Sequence, residues 1–294
     1  MGFEDNLINR MDREAGHQSE DVSKVIKEAH EKVLKLFEDY QIQEESLRDT
    51  YGDEVDKDKA RTREKESRPD FEKGGFLKEE AEVFEGIILQ EGEMSEWFGP
   101  GVETFKASKF DDYFNGTDII LEVEEGESAS HFALGVDVTF TVGDRLGEKV
   151  DRIISNIEDG KLTTVKYFHS EQFEGRLKNT PHLVIGIERK NVERLADRWL
   201  NGSRKEMADH KVQYVILEEM RMQLEVFMRY AESMNKDNLV KAYEKALRTI
   251  NRIIEEKGEY DLGELADDRV FNYIKEQMAK LDEMIDSGTG MRRW

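Results

Sequence analysis

Between Asp111 and Thr141 the chain reads DDYFNGTDIILEVEEGESASHFALGVDVTFT, two runs in which apolar residues alternate with acids and small polar residues. A strand sends successive side chains to opposite faces, so Ile119, Leu121 and Val123 share one face and Asp118 and Glu122 the other. In the second run Leu134, Val136, Val138 and Phe140 alternate with Gly135, Asp137 and Thr139. Such a pattern requires a sheet with a buried face. An acid set into so apolar a strand as Asp137 needs a metal, a Lys or Arg partner, or a raised pKa to compensate its burial. Two adjacent strands carrying acids on a common face make a candidate divalent-metal site.

The flanks supply the rest of an α/β order. Val22, Val25, Ile26, Ala29, Val33, Leu34 and Phe37 recur at helical spacing, with Ser19 as N-cap, and the polar run after Tyr51 reads as a helix end or linker. Leu77 to Glu91 is a second helix, its stripe made by Leu77, Ala81, Phe84 and Ile88, with Glu85 at the border and Glu82 further toward solvent. Residues 92–110 read as a loop broken by Gly99, Pro100 and Gly101. After the central strands come a helix over 147–156, strands over 162–168 and 181–188, and a short helix over 191–200. From Lys205 onward three apolar stripes predict a helical bundle. The expected class is α/β (α+β): a central mixed sheet flanked by helices, with an N-terminal charged helix and a C-terminal three-helix bundle. The expected units are 1–70, a charged helical extension and linker; 71–203, the α/β core; and 204–294, the bundle.

Charge narrows the partners. The 294 residues carry a net charge of -22, which argues against a protein that coats nucleic acid by neutralising phosphates. The imbalance is local: residues 1–140 hold 17 Lys and Arg against 37 Asp and Glu, and residues 141–211 hold 14 against 12. A DNA or RNA contact is therefore expected on 141–211, and a protein partner on the helical regions. No cysteine is present, which excludes disulfides and thiolate metal sites and fits a reducing compartment. No apolar run approaches the roughly 20 residues that span a bilayer, so a cytoplasmic protein with no membrane partner is expected.

The phosphate-loop, dinucleotide, nucleophile-elbow and zinc-protease motifs are missing, and the six histidines show no ligand spacing. Carboxylate chemistry remains. Oxygen ligands on strands suit Mg²⁺ or Mn²⁺, which take one or two carboxylates and complete their shells with water and phosphate oxygens.

A helix with a glutamate (Glu85, or Glu82), a strand-borne acid in NGTDIILE (Asp118), a second strand with Asp137-Val138-Thr139 in GVDVTF, then a helix and more strands resemble the PD-(D/E)XK nuclease-like fold over residues 75–200. The chain as a whole also resembles a family of bacterial proteins, a likeness that carries no activity. The nuclease resemblance implies Asp118 and Asp137 as ligands of Mg²⁺ or Mn²⁺ and Glu85 as holder of a second ion or of a metal-bound water. It implies phosphodiester hydrolysis of DNA or RNA by a water that the ion activates. Thr139 stands where the family motif has a lysine; the resemblance points to Lys149 in the next helix as its replacement, with Lys161 and Lys166 behind it. The bland readings are a turn-ending Asp118, a salt-bridged Asp137, a solvated Glu122 and a surface Lys149. The alternative function is a non-catalytic interaction module that binds proteins through the acidic N-terminal helix and the bundle.

Overall fold

A computed structural model describes residues 24–68, 75–125, 128–139 and 144–287; the side chains of 75–77, 125, 128, 133–139 and 144–145 are not described. The expected Ser19 cap lies outside the described residues, and Asp137 and Thr139 are followed here by their backbone alone.

Helix α1 (Lys24–Tyr40) leads through a 3₁₀ turn (Glu44–Leu47) and a short α2 (Arg48–Tyr51) to α3 (Glu54–Glu66). Next come α4 (Gly75–Met94), β1 (Val102–Lys106), a single π-helical turn (Asp111–Asn115), β2 (Ile119–Glu125) and β3 (Ser128–Thr139). Helix α5 (Asp144–Glu158) crosses over to β4 (Thr163–His169), β5 (Glu174–Thr180) and β6 (His182–Glu188). The remainder is helical: α6 (Arg189–Asn201), α7 (Arg204–Ala208), α8 (Val212–Ser233), α9 (Asp237–Lys257) and α10 (Arg269–Ser287). No helix among the described residues is long and apolar enough to cross a membrane.

The expected mixed sheet is present, flanked by helices and followed by the three long helices α8, α9 and α10. Its strand order is β1-β2-β3-β6; β1, β2 and β3 pair antiparallel, and β3 pairs parallel with β6. Strands β4 and β5 form a separate hairpin. Two expectations change. Residues 92–110 are not all loop: β1 lies inside them, because Val102, Thr104 and Lys106 alternate with Glu103 and Phe105 and bury one face. Strand β5 was not expected at all; its pattern buries only Gly175, Leu177 and Thr180 between exposed polar residues.

Two cores divide the faces of the sheet. Ile119, Leu121 and Val123 join Phe84, Ile87 and Ile88 of α4 in the larger cluster, which runs on without a break through α1 and the C-terminal helices. Ile120, on the opposite face of β2, joins Val165, Tyr167, Phe168 and Leu177 of the hairpin together with Leu47 and Val55. The period-two pattern of β2 thus separates the two cores. Helix α1 lies close against α4, where any Cβ on Gly86 would overlap the side chain of Val33.

Strand β6 stands at the sheet edge, with all seven residues buried. Side chains of the bundle occupy the backbone groups that a further strand would take. Gln223 accepts from the Val184 N–H at 2.9 Å and donates to the Val184 carbonyl at 2.7 Å. Glu219 accepts from Gly186 N–H at 3.0 Å, and Asp268 from Glu188 N–H at 2.9 Å. Buried amides and carbonyls need partners, and here amide and carboxyl side chains supply them.

Candidate functional site

Glu85 sits on α4 beside residues that bury fully against the sheet, and it goes under with them: only 8% of its side chain is exposed. It is therefore more deeply placed than a residue on the border of the stripe. The partner that makes this tolerable is Lys106, the last residue of β1, whose Nζ lies 2.8 Å from Glu85 Oε2 and is itself buried. Glu82 lines the same cleft but is held by α1, 2.6 Å from His30 Nε2.

The other two acids arrive through the π-helical turn. Asp111 is its anchor and is fully buried, accepting from the Lys166 and Tyr167 N–H groups at 2.7 and 2.9 Å, from Ser108 Oγ and from Asn115 Nδ2. That grip on β4 fixes the turn and presents the next residue, Asp112, with Oδ2 3.3 Å from Lys106 Nζ. The turn ends at Gly116, left-handed at φ 65°, a backbone that residues with a Cβ rarely adopt, and the Arg152 guanidinium packs over it. The chain then enters β2 through Asp118, whose carbonyl accepts the Ala107 N–H at 3.1 Å. Asp118 is thereby tied next to Lys106.

Glu85, Asp112 and Asp118 thus converge electrostatically on one ammonium. Burial works against the Lys106 charge, but Asp112, Glu85 and Asp118 outweigh it and hold the ammonium above the ordinary lysine range. Burial pushes the Glu85 carboxyl up; Lys106 opposes the rise, and Asp118 and Asp112 add to it. Three carboxyls against one cation leave a negative excess at low dielectric, which either a proton or a further cation relieves. The group opens into a cleft of about 830 Å³ lined by Glu85, Lys106, Asp112 and Asp118 at its base and by Leu34 and Phe37 of α1 on its wall.

The expected residues fall as follows. Glu85 and Asp118 line this one cleft. Asp137 pairs through its backbone with Gly186, on the part of β3 that runs past the Ile119–Leu134 pair, so its Cα lies at the same end of the sheet as Asp118. Its side chain is outside the described set, as is that of Thr139. Lys149 stands on α5, where with Arg152 its charge bears on the buried His182, and the described residues lining the cleft do not include it. Lys166 is bound by Asp58 at 2.5 Å and Glu54 at 2.9 Å, and Lys161 by Asp159 at 2.7 Å. Glu122 is not solvated: it is 1% exposed and accepts from Ser170 Oγ at 3.1 Å, with His131 Nε2 2.6 Å away, because the β4–β5 hairpin covers that face. Sequence reading missed Lys106 and Asp112; the alternation Val102, Thr104, Lys106 was the signal for the lysine.

The donor set offered by Glu85, Asp112 and Asp118 is all carboxylate oxygen, which fits a hard divalent cation and not a soft one. Among the described residues no group of three acid or histidine side chains is arranged to enclose an ion. Comparisons with family models, with curated proteins and with solved structures found no match.

Proposed function

We propose that the chain is a divergent, divalent-metal-dependent nuclease-like protein that hydrolyses phosphodiesters of DNA or RNA in the Glu85–Asp118 cleft. The observation that carries this reading is the buried group itself: Glu85 from the helix, Asp118 from the start of β2 and a lysine, held together at the base of an open cleft. The order of elements supports it, with helix α4, three antiparallel strands, helix α5 and a parallel strand β6.

In this reading Asp118 and Asp137 would hold Mg²⁺ or Mn²⁺, with Glu85 beside them. When bound, the ion supplies Lewis-acid polarisation of the scissile phosphate and acidifies the attacking water. Lys106 takes the part that the resemblance gives to the lysine absent at Thr139: its Nζ, fixed between Glu85 and Asp112, offers hydrogen bonds and positive charge to a phosphate oxygen. This replaces Lys149 as the candidate. Glu85, its carboxyl raised by burial, can hold a proton at Oε1 or Oε2 for the leaving oxygen.

The test is cleavage of single-stranded DNA, plasmid and RNA with Mn²⁺ or Mg²⁺ at low salt, beside calorimetric titration of Mn²⁺. Asp118→Ala and Asp137→Ala should abolish both cleavage and ion binding. Lys106→Met should abolish cleavage, and Lys149→Ala should retain it. A wild-type protein that neither binds Mn²⁺ nor cuts any of the three substrates overturns the reading.

A further inference from the structure

The cleft has walls that the carboxyl group at its base does not explain. Leu34 is 47% exposed, and it stands one turn before Phe37 on the same wall. The Phe37 ring lies 5.3 Å from Lys106 Nζ. An apolar and aromatic surface therefore borders the cation directly, within the span of one nucleotide.

Charge and depth restrict what can use that surface. The described lining of the cleft carries four lysines against six acids, and the larger hollow of about 1030 Å³ beside α6 and α7 carries four basic residues, histidine aside, against four acids. Neither is the basic track by which proteins neutralise duplex phosphates. Glu85 and Lys106 are only 8% and 5% exposed. A volume of about 830 Å³ matches a small-molecule pocket, whereas specific duplex recognition buries on the order of 1,000 Å² or more of protein surface. Single strands are held by positive charge along the backbone together with stacking of bases on aromatic side chains, and of these the cleft offers the Phe37 ring beside one ammonium, enough for a single phosphate and not for a duplex backbone.

Resting on the nuclease reading, we propose that this cleft selects unpaired nucleic acid, with a base against Phe37 and Leu34 and its phosphate directed to Lys106, and that it excludes the duplex. Fluorescence anisotropy of the full chain in Ca²⁺, with a short labelled DNA strand and the same strand annealed to its complement, tests this. The single strand should bind at least about tenfold more tightly than the duplex. Phe37→Leu, which removes the ring but keeps an apolar side chain, and Leu34→Glu, at an exposed position, should each weaken strand binding about tenfold; the urea midpoint should stay near wild type for Leu34→Glu and fall modestly for Phe37→Leu, whose ring packs on the core and borders Lys106. Duplex binding equal to or tighter than strand binding overturns the selection and leaves the nuclease reading standing, provided that the duplex is cut in Mn²⁺. Unchanged strand affinity in both variants overturns the wall assignment. Absence of binding and cleavage for both forms overturns the two together.

Discussion

Removing the charge of Lys106 should cost far more stability than removing that of Glu85, although the two are partners in one ion pair. At 2.8 Å and an effective dielectric constant of about 20, the fully ionised pair would attract with about 6 kcal/mol, an upper limit because both groups have been taken out of water and because burial raises the Glu85 carboxyl, so that it is ionised only part of the time at pH 7. Lys106→Met leaves Glu85, Asp112 and Asp118 without the ammonium they share, and uncompensated buried charge places the loss at about 4 kcal/mol. Glu85→Gln leaves Lys106 with Asp112 at 3.3 Å and lowers the negative excess, so its cost should be about 1 kcal/mol. The double variant should be more stable than Lys106→Met alone. Urea denaturation at pH 7, with the double-mutant cycle completed, measures all three. Repeating the series at pH 5 adds a sign: Lys106 opposes the rise that burial gives the Glu85 carboxyl, so in Lys106→Met that carboxyl stays above its unfolded value and stability recovers as pH falls from 7 to 5. Equal costs for the two single variants, or a Lys106→Met stability that does not change between pH 7 and pH 5, would refute the electrostatic account of the site.

Three further outcomes follow from other parts of the molecule. Burial raises the Glu219 carboxyl well above its ordinary range, so the folded state binds a proton that the unfolded state releases, and wild-type stability should decline as pH rises above the usual glutamate range. Glu219→Gln should flatten that decline in urea midpoints measured from pH 5 to pH 9. Gln223→Met should cost about 2–4 kcal/mol by leaving the Val184 N–H and carbonyl without partners, read by urea denaturation. Gly86→Ala, which would stabilise an isolated helix by about 1 kcal/mol, should instead lower the thermal midpoint, because the new methyl meets Val33.

The amphipathic elements were legible because they are periodic. Strand β2 declares itself through Ile119, Leu121 and Val123, and β6 through HLVIGIE, buried along its whole length. Strand β1 has five residues, one of them Glu103, and follows Gly99, Pro100 and Gly101, so its turn signals drown its alternation. Glu122 illustrates a different limit. Next to Glu124 and Glu125 it looks like a solvated strand end, and only the hairpin arriving from residues 163–180 buries it against Ser170. Of the site, Glu85 and Asp118 could be named from a helix and a strand read separately. Lys106 and Asp112 could not, since their role depends on β1 pairing with β2 and on Asp111 locking the π-helical turn to β4.

The side chains that close the edge of β6 also set a schedule for the nascent chain. Val184 and its partner Gln223 are 39 residues apart, so during synthesis the last strand leaves the ribosome well before the helix that occupies its open backbone. Until α8 has emerged, the sheet presents an unpaired, strongly apolar edge of the kind that joins neighbouring chains. Translation that stalls between α6 and α8 should therefore yield more aggregate than a stall after Asp268, the last of the capping residues, has emerged.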